Sequence, residues 1–235
     1  MAQLMKEQIE KMGDSKAIIT NQQGIHEKLE NVVLKHLQHP FKKPFQQHTE
    51  QAFAQINKVV QAFSGEIILD SCCGVGQSTR LLAKRHPNAL VIGVDKSANR
   101  INRNVDELVT NEGTTAVNNF YLIRADLNDF YRLVLAAKWH VTQHYVLYPN
   151  PWPKSKHLQR RWHGSAVFPD MLKIGNTLIL RSNWRLYLEE FNFAVSLVGL
   201  TGEFSIVEDT ESLTPFEAKY RASQQTCFQL TITLK

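Results

Sequence analysis

From about residue 66 to the end of the chain, short apolar runs alternate with segments of helical periodicity. Runs of this length, rich in Val, Ile, Leu and Phe, are typical of buried β-strands. Strands that alternate with helices form βαβ units, which place the strands parallel in one sheet with helices on its faces. The pattern therefore predicts an α/β domain with a mostly parallel seven-stranded sheet. The predicted strands are residues 67–69, 90–94, 120–123, 141–147, 177–180, 204–207 and 227–234.

The helical segments divide the chain into two parts. Residues 1–64 contain helix-like stretches but no strand pattern, which predicts a helical N-terminal extension before an α/β domain at residues 65–235. The last two strands are joined by a loop without an obvious helix, which favours an antiparallel pair at the edge of the sheet. The predicted helices are residues 1–12, 24–38, 49–63, 78–85, 98–110, 157–171 and 186–198.

Composition limits the classes of protein to which the chain can belong. A net charge of +5 and a pI of about 9.1 permit a nucleic acid partner without requiring one. No run approaches the roughly 20 apolar residues of a membrane span, and the first ten residues lack the apolar region of a signal peptide. Three cysteines, two of them adjacent, do not indicate a disulfide framework. We expect a cytoplasmic protein, and the scattered histidines predict no metal site.

A strand that runs into a glycine turn and then a helix begins the α/β domain, at residues 67–78. Gly74 and Gly76 allow backbone conformations that a Cβ would disfavour. The turn falls at the carboxyl end of the first strand, where open α/β sheets bind ligands. Asp95 ends the second strand, where a carboxylate can accept hydrogen bonds from both hydroxyls of a ribose. The turn and the acid together predict a site for a nucleotide-like cofactor.

Two further carboxylates distinguish a binding site for S-adenosylmethionine (SAM) from a binding site for a dinucleotide. Asp70 lies inside the turn, where it would repel a pyrophosphate but could hold the ammonium group of a methionine moiety. The spacing Asp-x-x-x-Gly-x-Gly also differs from the Gly-x-Gly-x-x-Gly of dinucleotide sites. Asp126 follows the third strand, where a carboxylate can accept a hydrogen bond from the adenine amine. Three carboxylates at the ends of three consecutive strands favour SAM as the cofactor.

Residues 66–127 resemble the class I SAM-dependent methyltransferases, whose turn usually reads Asp-x-Gly-x-Gly-x-Gly. Cys72 replaces the first glycine of that motif, and a left-handed backbone there would strain a cysteine. We expect Cys72 and Cys73 to be packing residues rather than nucleophiles. The resemblance implies a Rossmann-like fold. It implies that SAM is bound by Asp70, Cys72, Gly74, Gly76, Asp95, Lys96, Asp126, Leu127 and Asn150.

The segment after the fourth strand combines three prolines, at positions 149, 151 and 153, with dense positive charge. Prolines restrict the backbone, so this loop holds its side chains with little conformational entropy left to lose. Trp152 offers an aromatic face for a base, or a hydrophobic anchor. The cations that follow could neutralise several phosphates, or form a solvated helix face. They are Lys154, Lys156, Arg160 and Arg161.

This loop closely resembles the Pro-Asp-Pro-Trp-Pro-Lys signature of the tRNA (guanine-N7)-methyltransferases. Residues 181–184 stand where that family has Thr-Asp-Trp, and residues 214–217 are similar to its Thr-x-Phe-Glu element. The resemblance covers about residues 66–235 and implies SAM-dependent methylation of guanine N7 in tRNA. It places Asn150 between cofactor and base, as the catalytic position. It assigns substrate binding to Lys154, Arg160, Arg161, Asn183, Thr214 and Glu217, with the arginines on phosphates and Glu217 on the guanine.

Asn150 and Asn183 stand where the family has aspartates. Guanine N7 already has an in-plane lone pair, so its methylation needs no general base, only alignment with the methyl donor. A carboxylate on the Watson–Crick edge would accept from N1–H and N2–H. An amide accepts only through its oxygen, and its NH2 group opposes one of those donors. Either Glu217 and backbone groups hold the base, or the preferred base differs.

Three hypotheses follow from these residues. The first is a tRNA guanine-N7 methyltransferase. The second is a methyltransferase for another RNA base, a protein side chain or a small-molecule amine, because the proline, amide and aromatic ring are similar to loops of amino-methylating enzymes. The third is a non-catalytic RNA-binding relative, against which the three cofactor carboxylates argue. Asn150→Asp and Asn183→Asp separate the first from the third, since they should raise transfer if the amides are defects.

Overall fold

A computed structural model describes residues 14–103 and 119–235 of the chain. The strands are β1 (Ile67–Ser71), β2 (Leu90–Asp95), β3 (Phe120–Arg124), β4 (Val141–Leu147), β5 (Thr177–Ser182), β6 (Gly202–Ile206) and β7 (Phe228–Thr233). They form one seven-stranded sheet in the order β3-β2-β1-β4-β5-β7-β6. Strands β1 to β5 pair in parallel, and β7 is antiparallel to β5 and β6. The predicted sheet and its antiparallel edge are confirmed.

Helices precede the sheet and connect its strands. The α-helices are α1 (Leu29–Gln38), α2 (Gln47–Ala62), α3 (Gln77–Arg85), α4 (Ala98–Asn102), α5 (Leu127–Ala136), α6 (Phe168–Met171), α7 (Arg185–Ser196) and α8 (Pro215–Ala222). Leu29, Val33, Phe53 and Ile56 of α1 and α2 lie in the same hydrophobic cluster as the sheet. The first two helices therefore share a core with the α/β domain, and the division at residues 64 and 65 stays a prediction.

The two faces of the sheet are covered by different helices, so the central strands are buried on both sides. Successive strand residues point to opposite faces. Ile67 and Leu69 of β1 accordingly join the large core with α1, α2, α5 and α7. Ile68 joins a smaller cluster with Leu82 and Ala83 of α3. Burial on both faces explains why the central strands read as continuous apolar runs rather than as an alternating pattern.

The prediction of one continuous helix at residues 157–171 is wrong. The segment forms two 3-10 helices followed by α6, and the 3-10 helices are Ser155–Arg160 and Trp162–Gly164. The backbone of Arg161 is extended between them. Gly164 packs against the carbonyl of Leu158 so closely that an added Cβ would lie 2.3 Å from the carbonyl oxygen. A continuous α-helix cannot contain an extended residue and cannot bring Gly164 this close to the carbonyl of Leu158.

The loop between β6 and β7 also differs from the prediction, because it contains α8. Thr214 caps this helix by accepting a hydrogen bond from the Glu217 backbone N–H at 3.0 Å, and Pro215 occupies the first turn. Threonine, proline and glutamate in this order are signals of a helix start. Helix α5, which the sequence prediction also lacks, begins with Asp126 as its cap. Local capping residues carried information here that apolar periodicity did not.

The predicted helix at residues 1–12 and the last part of another, residues 104–110, lie outside the described residues. Within residues 14–103 and 119–235, no helix is long and apolar enough to span a bilayer.

Candidate active site

The turn after β1 forms one wall of the site. Cys72, Gly74 and Gly76 all have left-handed backbone angles, with φ of 63°, 60° and 74°. This conformation costs a cysteine about 1–2 kcal/mol. At Gly76 an added Cβ would lie 2.6 Å from the Leu122 side chain, whereas at Gly74 it would meet nothing within 4 Å. Gly76 therefore packs against the sheet, and the backbone at Gly74 faces open space.

Both cysteines of the turn have thiols that stay protonated at neutral pH. Burial raises the pKa of the Cys72 thiol to about 12, and the charge of Asp95 adds to the effect. Burial also raises the pKa of Cys73 well above its ordinary value. Since the thiolate is the reactive form of cysteine, these residues are placed for packing.

Asp70 lies beneath the turn and lines no part of the cleft described below. Its Oδ2 accepts hydrogen bonds from the hydroxyls of Ser78 and Thr79, each at 2.7 Å. Burial raises the pKa of Asp70 to about 6, although these two hydrogen bonds lower it. Its Oδ1 is buried and has no hydrogen-bond partner in the described part of the chain. Asp70 thus fixes the start of α3 against the turn, and its contact with an ammonium group stays a prediction.

Asp95 ends β2 and does line the cleft. Its Oδ1 accepts a hydrogen bond from the backbone N–H of Ser97 at 2.8 Å, and its Oδ2 accepts one from that of Gly74 at 3.1 Å. The Arg100 guanidinium lies 3.4 Å from Oδ2. These donors hold the carboxylate at the carboxyl edge of the sheet, beside the turn.

Asp126 is fixed by the N-terminal part of the chain. Its Oδ1 accepts from the backbone N–H of Asn128 at 2.9 Å, and its Oδ2 accepts from the side-chain amide of Gln46 at 3.0 Å. Its own N–H donates to the Thr49 hydroxyl at 3.0 Å. Sequence patterns assigned no role to residues 1–64, yet α2 and the residue before it reach the edge of the site.

The proline loop, residues 148–154, forms another wall. Tyr148 and Trp152 have left-handed backbone angles, with φ of 50° and 46°. The exposed Asn150 accepts a hydrogen bond at its Oδ1 from the Trp152 N–H, at 3.3 Å. The guanidinium of Arg160 lies 4.6 Å from the centroid of the Trp152 ring. The amide of Asn150, the indole of Trp152 and the guanidinium of Arg160 therefore lie close together in this loop and the segment after it.

The predicted contact of Arg161 with a phosphate is wrong, because Arg161 has no exposed surface. Its guanidinium forms an ion pair with the equally buried Glu190 and donates to the side-chain oxygen of Gln22 at 3.0 Å. Its Nε donates to the backbone carbonyl of Trp152 at 3.2 Å. Arg161 therefore holds the proline loop from inside the protein.

The predicted contact of Glu217 with a guanine is also wrong. Glu217 is fully buried, and its Oε2 lies 3.1 Å from the guanidinium of Arg181. Its Oε1 accepts from the Leu213 N–H at 3.4 Å. These contacts occupy both oxygens and stabilise the start of α8.

Two other predicted substrate residues lie outside the cleft. Asn183 donates a hydrogen bond through Nδ2 to the Oε1 of Gln225 at 2.8 Å. Lys154 is exposed and is not among the residues that line the cleft. Asn183 therefore already has a hydrogen-bond partner, and Lys154 does not line the cleft.

The turn, the strand ends and the proline loop enclose a cleft of about 750 Å³. The predicted site residues that line it are Cys72, Gly74, Asp95, Lys96, Asp126, Leu127, Asn150, Arg160 and Thr214. Those that do not are Asp70, Gly76, Lys154, Arg161, Asn183 and Glu217. The cleft thus joins most of the predicted cofactor residues with the exposed part of the proline loop.

Comparison with known proteins identifies the family to which the chain belongs. Residues 64–230 match the model of a family described as "Putative methyltransferase". The chain belongs to this methyltransferase family. The match includes every predicted site residue.

Relatives with curated names include two tRNA (guanine-N(7)-)-methyltransferases. That of Mycoplasma genitalium is 25% identical over 66% of this chain and 65% of its own length. That of Thermus thermophilus is 29% identical over 60% of this chain and 44% of its own length. A bifunctional methyltransferase of Rickettsia conorii is 27% identical over 65% of this chain. The chain spans between 28% and 65% of the length of these relatives.

Solved structures show the same fold. The 16S rRNA methyltransferase KamB superposes with a TM-score of 0.56 at 15% identity, over 81% of this chain and 94% of that one. A point mutant of the 16S rRNA (adenine(1408)-N(1))-methyltransferase of Catenulisporales acidiphilia, solved with SAM, has a TM-score of 0.53 at 17% identity. It covers 76% of this chain and 90% of that one. The predicted Rossmann-like methyltransferase fold is confirmed.

The methyltransferase cleft also contains residues that sequence patterns did not single out. Arg100 and Arg103 add positive charge on one side, and Phe216 and Tyr220 add stacked aromatic rings on the other. Phe216 is half exposed, which leaves a ring face open. A basic residue five positions after Asp95, in the helix that follows β2, was a usable signal for Arg100. Among the described residues, no cluster of three His, Cys, Asp or Glu side chains is arranged to hold a metal ion.

Proposed function

We propose that the protein is a SAM-dependent methyltransferase that transfers a methyl group to N7 of a guanine in tRNA, with residues 65–235 as its methyltransferase domain. The observation that carries the proposal is the shared cleft. Asp95 and Asp126 line it from the strand ends, and Asn150 and Trp152 line it from the proline loop. The names of the relatives from Mycoplasma genitalium and Thermus thermophilus support tRNA as the substrate.

The residues of the cleft fit SAM. The volume of the cleft lies within the range of about 300–1,000 Å³ that is usual for small-molecule sites. The open space at Gly74 lets a ligand approach the backbone. Asp95 would hold the ribose hydroxyls and Asp126 the adenine amine, with Lys96 and Leu127 beside them. The buried Asp70 would support the site from beneath the turn, through the hydrogen bonds it accepts from Ser78 and Thr79.

Methyl transfer to guanine N7 requires no general acid or general base. SAM supplies, when bound, a methyl group on a positively charged sulfur. Guanine N7 has a lone pair in the plane of the ring, so no proton has to be removed before the transfer. The task of the chain is to place that lone pair in line with the methyl group, and such alignment is itself a large part of catalysis. The rigid proline loop and its buried anchor at Arg161 suit this task.

The exposed aromatic and cationic groups would hold the base and its phosphate. Trp152 and Phe216 both line the cleft and offer flat faces, and stacking of a base on an aromatic ring contributes about 1–3 kcal/mol. Arg160 is exposed beside Trp152 and would contact a phosphate. Asn150 would meet the edge of the base, since its amide lies at the surface of the cleft.

One observation favours a second substrate class. The Oδ1 of Asn150 makes only a long hydrogen bond of 3.3 Å, so it can accept another from an exocyclic amine. Methylation of a base amine, such as that of adenine, would use this acceptor.

Methyl transfer from labelled SAM into unmodified tRNA, followed by nucleoside analysis, tests the proposal. We expect label in 7-methylguanosine and strand cleavage at one guanosine under conditions selective for that nucleoside. Label in a methylated amine supports the second class. A preparation that binds SAM but labels no tRNA contradicts tRNA as the substrate.

A further inference from the structure

A second concave surface lies beside the cleft. This basic groove has a volume of about 670 Å³. One wall comes from the segment that leads into α1 and the other from the 3-10 helix after the proline loop. The groove is lined by His26, Glu27, Lys28, Val32, Ser155, Lys156, His157, Leu158, Gln159 and Arg160.

Positive charge dominates the lining of the basic groove. Lys28, Lys156 and Arg160 are exposed, and His26 and His157 lie among them in the lining. Among the described residues that line the groove, Glu27 is the one acidic side chain. Such an excess of cations is typical of a surface that binds a polyanion.

The two walls are fixed to each other by hydrogen bonds. The Thr20 hydroxyl donates to the carbonyl of Pro153 at 2.7 Å. The backbone N–H of Ser155 donates to the Oδ1 of Asn21 at 3.0 Å, and the Nδ2 of Asn21 lies 3.3 Å from the Ser155 hydroxyl. The two segments that form the walls are therefore held together before any ligand arrives, which reduces the entropy lost on binding.

The basic groove is continuous with the cleft. Gln159 and Arg160 line both, so they form the ridge between them. Beyond these two residues the lining of the groove includes Lys156 and Lys28.

We propose that the basic groove binds the sugar-phosphate backbone of the RNA next to the target base. This inference rests on the proposed function, because it takes the base in the cleft to belong to an RNA. An acidic protein is a poorer occupant, since protein interfaces need an apolar core. The groove offers Val32 and Leu158 for that purpose, and Leu158 is buried. A phosphate backbone needs only spaced cations.

Charge reversal on each wall tests the proposal with the full chain. The variants are Lys28→Glu and Lys156→Glu, and the matched control is Lys58→Glu, an exposed position of α2 that lines neither surface. We expect each groove variant to raise the Kd for unmodified tRNA transcript by about fivefold or more and to reduce the slope of log Kd against log salt by about one. The control should bind tRNA like the wild type, and all three should keep the wild-type affinity for SAM.

The outcomes separate this inference from the proposed function. If the wild type methylates tRNA and both groove variants bind it like Lys58→Glu, the basic groove is not an RNA site. If groove-dependent binding is seen without any methyl transfer, the proposed function fails and the RNA groove stands. Displacement of tRNA by polyglutamate as effective as by polyuridylate, at equal charge, would overturn the assignment to RNA.

Discussion

The guanidinium of Arg161 and the carboxylate of Glu190 form an ion pair in which neither side chain has any exposed surface. Glu190 belongs to α7, and Arg161 also donates to the backbone carbonyl of Trp152 at 3.2 Å. Burial alone would raise the pKa of Glu190, but the hydrogen bond from His163 and the charge of Arg161 outweigh it and lower that pKa to about 2. The pair therefore ties the proline loop to α7.

Arg161→Met should lower the free energy of unfolding by about 3–5 kcal/mol, because it leaves the buried Glu190 without its cationic partner. Arg161→Met combined with Glu190→Gln should recover much of this loss, since no unpaired charge remains. Urea denaturation monitored by tryptophan fluorescence measures both. Arg160→Ala, one residue away on the surface, is the matched control and should change stability by less than about 0.5 kcal/mol. Equal stability of Arg161→Met and the wild type would contradict the role of the pair.

Asp95→Ala should weaken SAM binding by about 100-fold or more, because hydrogen bonds to a carboxylate contribute about 1.5–3 kcal/mol each, and two of them about 3–6 kcal/mol. Isothermal titration calorimetry gives the affinity. Asp170→Ala, which removes a carboxylate paired with Lys173 on the surface, should leave SAM affinity unchanged. Near-wild-type affinity of Asp95→Ala would remove the cofactor assignment.

Asn150→Asp and Asn183→Asp should differ in effect, although both restore the acidic residue of the related family. Asn150 lines the cleft, so a carboxylate there should raise kcat/KM for tRNA about tenfold by accepting from the guanine edge. Asn183 donates to Gln225 outside the cleft, so Asn183→Asp loses that hydrogen bond and should not raise kcat/KM. The comparison is made by initial rates at varied tRNA. A gain from Asn183→Asp alone would show that this geometry changes when substrate binds.

The stability of the protein should fall as the pH drops from about 6.5 to 3, in part because of His144. Burial lowers the pKa of this fully buried imidazole to about 3. Below pH 6.5 the unfolded chain therefore binds a proton that the folded chain does not, which favours unfolding. A pKa of about 3 in place of 6.5 corresponds to about 5 kcal/mol, fully present above pH 6.5 and lost as the pH approaches 3. Urea denaturation at a series of pH values should show a shallower dependence for His144→Gln than for the wild type. Identical dependences would show that His144 does not titrate as its burial implies.

Local sequence patterns were enough to predict the strands, the mostly parallel sheet and the carboxyl edge at which the site forms. Apolar periodicity is local, and a parallel sheet brings the ends of its strands to one edge whatever the loops do. For this reason Asp95, Asp126 and Asn150, which follow or end three different strands, line one cleft as predicted. The backbone at Cys72 is left-handed, which is the condition under which the replaced glycine predicted strain.

Which charged side chains face the ligand depends instead on the packing of the whole fold. Arg160 and Arg161 are adjacent in the sequence, yet one is exposed over Trp152 and the other is buried against Glu190. Glu217 has a carboxylate that could accept hydrogen bonds from a base, but it is paired with Arg181 in the interior. The physical reason is that burying a charge requires a partner of opposite sign, and that partner is set by the packing of distant elements.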